Sequence, residues 1–376
     1  MATVQVSTFA AFASAVSVQG DIVEVTADLD VAAEYPNGYT SPLNIKASAI
    51  NGNGHVIKNI KPTDGDVDAL FQFGKNGEWI GSDDPSKYTT INRLHFQNCE
   101  PKNLAFWNGN WYKVTFNGCH FEFGGDSMKI IAQANWSYSS IGELCFFGCW
   151  FDIEIGASLA YLFNGGSSSQ STAVRLTNCV INLTDSGNNS NTFEKPFLEI
   201  YEMERCVVMG SLDTACLKNA STDLLQIRSN SPEISKVNSY FNAAITNDAA
   251  KTITLTMSSV SGSLYPDQQV AINSDRLATG ITITDVSGEP SINTDTQMKT
   301  GRGLDMPASP TDDEWRVDPA YNGGFPFFVF SVPELQALWP YNPPTPKMLA
   351  GSIPVTKVYI GDVEASAVYL GSQKVL

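Results

Sequence analysis

The chain has 376 residues, 43% of them hydrophobic, which is enough for one long repetitive core or for two or three ordinary domains. Only 16% are charged, and the formal net charge of −16 argues against nucleic acid as a partner, because phosphate binding needs a basic stripe. No basic residue precedes Lys46, and the apolar stretch 9–18 is too short to span a bilayer. We therefore expect neither a secretory signal nor membrane insertion.

Residues 1–20 are predicted to form an N-terminal cap. Four apolar residues recur there at helical spacing: Phe9, Phe12, Ala13 and Val16. Ser7 or Thr8 can serve as the N-cap. Such a helix would cover the first coil of a repetitive β-domain, whose open strand edge would otherwise invite pairing.

Strand-like alternation begins at 21–26 and 43–47 and continues in the segment Ile50-Asn-Gly-Asn-Gly-His-Val-Ile57. This segment resembles the I-x-G-x-G-x-x-I pattern of the pectate-lyase-like β-helix superfamily. The resemblance implies an all-β fold, a right-handed single-stranded parallel β-helix, which we place over residues 21–285. We interpret residues 61–88 only as a polar loop between coils.

Five cysteines share one local pattern: an apolar-x-apolar triplet, then two residues, then the cysteine. They are Cys99, Cys119, Cys149, Cys179 and, more loosely, Cys206. They follow one another at intervals of 20, 30, 30 and 27 residues, which is typical of stacked supersecondary units. The residue before each cysteine tolerates positive φ, as a tight bend requires, except in the last unit: Asn98, Gly118, Gly148, Asn178 and Arg205. We predict strand, left-handed bend and strand, with the cysteines stacked inside at ~4.8 Å.

The two other interpretations of the cysteines are a zinc site and disulfide bonds. A zinc site needs closed pairs, whereas Cys145 and Cys149 are separated by three residues and lack a second pair. Disulfides are disfavoured by the odd total of seven. Buried free thiols acting as small hydrophobes fit best, and we expect no metal and no cofactor.

Periodicity is lost after 285, and residues 286–332 are predicted to be a loop and closing segment. Its stretch Trp315–Phe327 resembles the W…Y-N-G-G-φ-P segment that follows repetitive β-domains of bacterial and phage surface proteins, which implies a lid on the last coil. Residues 333–353, rich in proline, read as a semi-rigid linker.

A small duplication occupies residues 354–376, and each half is predicted to be a β-hairpin. Its two copies of V-Y-[IL]-G are Val358, Tyr359 and Gly361, then Val368, Tyr369 and Gly371. This pair resembles a terminal module of bacteriophage tail-associated proteins. With the β-helix, the resemblance implies a phage virion protein of the tail-spike, tail-fibre or head-fibre type, in which this module serves attachment or assembly.

Aligning the coils on cysteine brings Glu122, Asp152 and Asn182 into one outward line, since each lies three residues after its cysteine. Two carboxylates one rung apart lie near the separation used by retaining glycosidases, and their mutual repulsion would raise one pKa. Glu122 and Asp152 are therefore candidate catalytic residues. The alternative is that they are ordinary outward residues of an acidic protein.

Six aromatic residues of three adjacent coils are candidates for stacking on sugar rings: Trp107, Trp111, Tyr112, Trp136, Tyr138 and Trp150. The alternatives are that they close coil corners or line a subunit interface. The three histidines suggest no catalytic triad, and only His95 and His120 are placed to approach each other across neighbouring coils.

The sequence thus favours a structural or adhesive phage virion protein, a tail spike or fibre, that contacts host-surface glycans without catalysis. A head fibre or capsid decoration protein and a polysaccharide-degrading spike are the alternatives. The resemblance implies a homotrimer, contacts with other virion proteins through the C-terminal module, synthesis in the host cytoplasm and release by lysis.

Overall fold

The computed structural model describes residues 2–39, 41–61, 69–73, 88–101, 104–108, 113–125, 130–134, 142–156, 161–164, 172–185, 198–200, 202–213, 221–227, 239–246, 253–259, 270–285, 291–304 and 306–341, and six two-residue strands between 349 and 374. The chain divides into two compact units, Met1–Leu338 and Trp339–Leu376. Of the helices described, none is long and apolar enough to cross a membrane.

The first unit is built on three long, entirely parallel sheets, here called A, B and C. From Ile22–Val25 to Ser221–Ile227 the described strands follow the order A, B, C, so that each strand pairs with strands of the neighbouring circuits. The later described strands belong to sheets B and C. This arrangement is consistent with a parallel β-helix.

Sheet A contains eight of the described strands: Thr3–Val6, Ile22–Val25, Ala49–Asn51, Tyr88–Asn92, Lys113–Asn117, Gly142–Phe147, Thr172–Thr177 and Glu202–Glu204. Sheet B contains eleven of them: Leu29–Asp30, Val56–Lys58, His95–Cys99, His120–Phe123, Trp150–Ile155, Val180–Asp185, Val207–Asp213, Ser239–Phe241, Ala244–Thr246, Val270–Asn273 and Ser291–Asn293. Sheet C contains nine: Leu43–Ile45, Ala69–Phe73, Leu104–Asn108, Ile130–Ala134, Tyr161–Asn164, Leu198–Ile200, Ser221–Ile227, Ile253–Ser259 and Ile281–Asp285.

Three of these strands lie where the sequence interpretation had none. Thr3–Val6, inside the predicted cap 1–20, pairs with Ile22–Val25 in sheet A. Ala69–Phe73, inside the supposed polar loop 61–88, is a strand of sheet C with Phe71 and Phe73 buried. Ser291–Asn293 extends sheet B beyond residue 285. The alternation in Ala-Leu-Phe-Gln-Phe is a strand signal, but it is short and has charged and glycine-rich segments on both sides.

The corner from sheet A to sheet B turns at a residue of positive φ in five successive circuits: Arg93, Gly118, Gly148, Asn178 and Arg205, with φ between 45° and 60°. The left-handed bend predicted at Gly118, Gly148 and Asn178 is confirmed. Arg205 adopts the same conformation, with φ 50°, although it has a side chain that disfavours this region. The bend is therefore a requirement of the fold at this corner rather than a consequence of glycine.

Cys99 does not belong to the cysteine ladder, and its predicted alignment is wrong. His95 pairs with His120 and Phe96 with Phe121, which puts Leu94 at the position that Cys119 holds in the next coil. Cys99 instead pairs with Phe123, beyond a β-bulge. The segment before Cys99 has the same apolar-x-apolar pattern as the other units, but it lies at a different corner from the one between sheets A and B. Local sequence cannot distinguish one corner from another.

The remaining cysteines stack inside the coil as predicted. The backbone N–H of Trp150 donates to the Cys119 carbonyl at 2.9 Å, and that of Val180 donates to the Cys149 carbonyl at 3.0 Å, so consecutive cysteines lie one rung apart. The Sγ of Cys149 and that of Cys179 donate to carbonyls of the preceding coil, 3.6 and 3.4 Å away. All six described cysteines are buried and free, which confirms their interpretation as small hydrophobes.

Phenylalanine fills much of the interior beside this ladder. Phe96, Phe121 and Phe151 lie in register on sheet B, with ring centroids 5.4 and 4.8 Å apart in stacked geometry. Phe116 and Phe146 stack in the same way on sheet A, at 4.8 Å. Stacking of like residues on successive rungs gives each ring the offset contact that aromatic pairs favour.

The N-terminal helix spans Phe9–Val16 and buries Phe9, Phe12 and Val16 in the core. Thr8 is its N-cap and accepts a hydrogen bond from the Ala11 N–H at 3.3 Å. The part of the chain that the structure describes has three shorter helices, Val31–Glu34, Asp295–Met298 and Pro333–Leu338, and two 3-10 turns, Ser274–Arg276 and Asn322–Gly324.

Residues 315–338, here called the strap, run along the outside of sheet B against the direction in which the coils stack. Near one end, the ammonium of Lys299 lies 4.7 Å from the Phe325 ring. Farther along, Phe330 packs on Trp150 with centroids 6.0 Å apart. At the other end, Glu334 forms an ion pair with Arg93. The strap therefore spans several coils instead of lying on the last coil alone.

The strap covers an outward row of apolar residues on sheet B, here called the outer apolar row: Trp150, Val180, Val207, Tyr240 and Ala271, none more than 5% exposed. Phe328 and Trp315 lie over this row, and Tyr240 donates its hydroxyl to the Pro326 carbonyl at 2.6 Å. The strap thus creates a second hydrophobic cluster outside the coil. Its helix Pro333–Leu338 belongs to the first unit, so the linker predicted for 333–353 is wrong over these residues.

The described strands of the second unit form three antiparallel hairpins, whereas the sequence predicted two. Their strand pairs are Leu349–Ala350 with Ile353–Pro354, Tyr359–Ile360 with Val363–Glu364, and Tyr369–Leu370 with Gln373–Lys374. The first hairpin lies outside the predicted module because its sequence, Leu-Ala-Gly, lacks the Val-Tyr signature. Val358, Gly361, Val368 and Gly371 lie outside the described residues.

The buried thiols should be chemically inert. Burial raises the pKa of Cys99 and of Cys145 to about 12, so neither thiol forms the reactive thiolate at pH 8. Alkylation of the folded protein, mapped by mass spectrometry, should leave the six described cysteines unmodified, whereas denaturant should expose them all. Val18→Cys, at a position 48% exposed, is the reactive control. Native-state labelling of Cys119 or Cys149 would contradict the ladder.

The strap can be tested with two glycines of equal backbone conformation. A Cβ at Gly118 would lie 2.5 Å from the Val332 side chain, whereas a Cβ at Gly148 meets no described atom within 4 Å. Gly118→Ala should therefore lower the free energy of unfolding by about 1–3 kcal/mol more than Gly148→Ala, because φ strain is common to both and overpacking is not. Adding Val332→Ala should remove the excess in urea unfolding. Equal effects of the two glycine substitutions would show that the strap does not lie on this corner.

Candidate functional site

The candidate site lies on the outer face of sheet B, beside the outer apolar row. Glu122 pairs in register with Asp152, and Asp152 with Asn182, so the three side chains predicted to align do lie on successive rungs. Alternation with buried Phe121, Phe151 and their neighbours directs these side chains outward. The line is a direct result of parallel pairing.

Asp152 is held in place by two neighbours. The Nε2 of His120 lies 2.8 Å from one of its carboxylate oxygens, and the Asn182 amide donates to the other at 2.8 Å. His120 comes from the preceding coil and Asn182 from the following one. The carboxylate is therefore fixed from both sides along the stacking direction, with about a third of its surface exposed.

A groove of 230 Å³ opens beside Asp152. Four carboxylates line it, namely Glu100, Glu122, Asp152 and Glu154, together with Asn98 and Thr184 among others. Lys61 lies 2.6 Å from one oxygen of Glu100 and partly offsets its charge. The lining is rich in hydrogen-bond acceptors and carries a strong negative charge.

Repulsion between the paired carboxylates would raise one of their pKa values, but the raised one is not the pKa of Asp152. Burial raises it, but side-chain interactions with His120, Trp150 and Asn182 outweigh burial and leave the pKa below the ordinary aspartate value. Asp152 therefore stays ionised at neutral pH. In any acid–base chemistry it could act as the base or the nucleophile, and the acid would have to be another group.

His95 and His120 approach each other as predicted, with ring centroids 6.3 Å apart. The Nδ1 of His95 accepts a hydrogen bond from the backbone N–H of His120 at 3.1 Å. Burial, followed by the charge of His120, lowers the pKa of His95 to about 4, so this ring is neutral. His95 thus supports the strand that carries His120.

The aromatic candidates are divided by the structure. Trp150 is only 5% exposed and packs on Phe330 of the strap, so its ring is not available to a sugar. Trp107 lies in the sheet C strand Leu104–Asn108, in register with Gln72 and Gln133. Trp111, Tyr112, Trp136 and Tyr138 lie outside the described residues.

Four polar groove residues were missed at the sequence level: Asn98, Glu100, Glu154 and Thr184. Glu154 and Thr184 continue the outward alternation after Asp152 and Asn182, and this signal was available. Glu100 and Asn98 reach the groove only because of the corner that follows the strand His95–Cys99. The bond between His120 and Asp152 joins different positions on neighbouring rungs, so alignment on cysteine does not suggest it.

Among the residues that the structure describes, no group of three or more His, Cys, Asp and Glu side chains is arranged to hold a metal ion. Comparison with protein-family models, with curated proteins and with solved structures gives no match for this chain.

His95 should make the protein sensitive to mild acid. Its pKa is about 4 in the folded state and about 6.5 when exposed, so the unfolded chain binds the extra proton between these values. The free energy of unfolding should fall as the pH drops from 6.5 towards 4, by about 3 kcal/mol at most. His95→Gln should flatten this part of the curve in urea titrations. An unchanged slope in His95→Gln would refute the assignment.

Proposed function

We propose that the protein is a structural and adhesive component of a bacteriophage particle, a tail spike or tail fibre that binds host-surface glycan without cleaving it. On this proposal the first unit is a right-handed single-stranded parallel β-helix, and the second unit serves attachment or assembly in a homotrimer. A head fibre or capsid decoration protein is the alternative position on the particle. The phage assignment rests on the sequence resemblances, and the glycan assignment rests on the groove.

The observation that carries the glycan proposal is the line Glu122, Asp152 and Asn182 beside the groove. Carboxylate and amide oxygens accept hydrogen bonds from sugar hydroxyls, and an amide also donates. Because these groups repeat at the spacing of the rungs, they suit a ligand that is itself a repeating chain. Asp152 is already fixed by His120 and Asn182, so little side-chain entropy is lost when a ligand binds it.

The charge of the groove indicates which glycans fit. Its four carboxylates and the net charge of −16 would repel uronic acids and other anionic sugars. Lys61, which could offset such charge, is already engaged with Glu100. The proposed ligand is therefore a neutral glycan or one that carries free amino groups.

A catalytic role is the second candidate, and the fixed, ionised Asp152 is the observation that favours it. Glu122 lies one rung away, a spacing of ~4.8 Å that is near the distance between the carboxyl groups of retaining glycosidases. Asp152 would be the nucleophile and Glu122 the acid in a polysaccharide hydrolase. The low pKa of Asp152 suits the first role, while the acid role of Glu122 has no comparable support.

Binding and cleavage can be measured together on isolated surface polysaccharide from host and non-host cells. We expect the full-length protein to bind a neutral or amino-bearing host polysaccharide and to release no new reducing ends. Glu122→Gln combined with Asp152→Asn should weaken binding about tenfold, because two acceptors of charge-assisted hydrogen bonds are lost. Asp28→Asn, a carboxylate outside the groove, is the matched control.

The outcomes separate the two candidates. Release of reducing ends that disappears in the double variant would replace the adhesive function by the hydrolytic one. Equal binding by the wild type and the double variant would show that the groove is not the glycan site. Absence of binding to every isolated polysaccharide would refute the glycan proposal.

A further inference from the structure

The second unit is a threefold sequence repeat with a period of ten residues. The described strands begin at Leu349, Tyr359 and Tyr369, and each is followed by glycine and a polar residue before the return strand. Gly-Ser and Gly-Asp between short strands are typical of tight hairpin turns. The three hairpins are therefore equivalent copies of one structural element.

Each hairpin is a separate sheet. The described strands of the second unit pair only within their own hairpin, two residues against two. A two-stranded hairpin of this size is marginal in water, and its outer edges leave N–H and C=O groups available for another strand. Residues 339–376 contain no cysteine, so no disulfide within them stabilises the hairpins. The repeats are therefore suited to pairing with a further strand.

The residue type at one position of the repeat indicates which strand pairs with the edge of a hairpin. The last residue of the return strand is Pro354 in the first hairpin, Glu364 in the second and Lys374 in the third. The second and third hairpins thus carry opposite charges at equivalent positions. Proline lacks an N–H, which makes the first hairpin a poor partner for edge pairing.

We propose that the second unit is a self-association element, in which the second hairpin of one copy pairs edge to edge with the third hairpin of another copy. Glu364 and Lys374 then lie on facing strands, where opposite charges stabilise and like charges destabilise the pair. Equivalent hairpins with equal strand lengths pair in register, and the first hairpin, with Pro354, ends the array. The partner is a second copy of this chain.

This inference deepens the assembly role proposed for the second unit, and its test involves neither glycan nor phage particle. Glu364→Lys places lysine at this repeat position in both the second and third hairpins, and Lys374→Glu places glutamate there in both. Sedimentation of the full-length chain should show each variant dissociating about tenfold more readily than the wild type at low salt. An equimolar mixture of the two variants should regain part of the association, because opposite charges then face each other at positions 364 and 374 in two of the three contacts of a mixed trimer.

The mixing step separates association between copies from pairing within one chain, which mixing cannot restore. Arg302→Glu, an exposed charge reversal in the first unit with the same change in net charge as Lys374→Glu, should leave association unchanged. The difference between variants and wild type should shrink at 1 M salt. A monomeric wild type at micromolar concentration, unaltered association in the single variants, or a mixture that fails to recover would each overturn the proposal.

Discussion

Parallel pairing of each coil with the next is the constraint on which the first unit depends. Since strands pair without a shift in most circuits, each residue lies on the equivalent residue of the neighbouring coil, ~4.8 Å away. The interior can then be filled by ladders of cysteine and phenylalanine. The same rule places Glu122, Asp152 and Asn182 in one line outside. Core and candidate site are thus two consequences of one register.

The strap adds a second hydrophobic cluster to the first unit, because it covers the outer apolar row of the coil. Without it, Val180, Val207 and Tyr240 would be outward hydrophobic residues in contact with water, and such patches invite association. The strap covers them with phenylalanine and is joined to the coil by polar contacts at Tyr240 and Arg93. The groove is lined by residues at the sheet B positions farther along each strand, so sheet B combines a covered row and an open acidic one.

The two units use strand pairing differently. In the first, pairing is satisfied within the chain from coil to coil, and side-chain ladders reinforce it, such as Asn117 to Asn92 to Asn51. In the second, each described hairpin satisfies only itself. The proposed self-association extends to neighbouring copies the kind of pairing that the first unit completes internally. A spike or fibre would thereby have its ligand groove and its assembly element on separate units.

The sequence by itself determined the all-β class, the left-handed bends at Gly118, Gly148 and Asn178, the buried free thiols and the outward line of Glu122, Asp152 and Asn182. These follow from local rules, since alternation and tolerance of positive φ are properties of a few adjacent residues. Only the tertiary structure decided that Leu94, not Cys99, begins the inner ladder, that Trp150 is buried, and that the strap runs back along sheet B. Each of these depends on which distant residues meet, such as Trp150 with Phe330 and His120 with Asp152. No periodicity in the sequence carries that information.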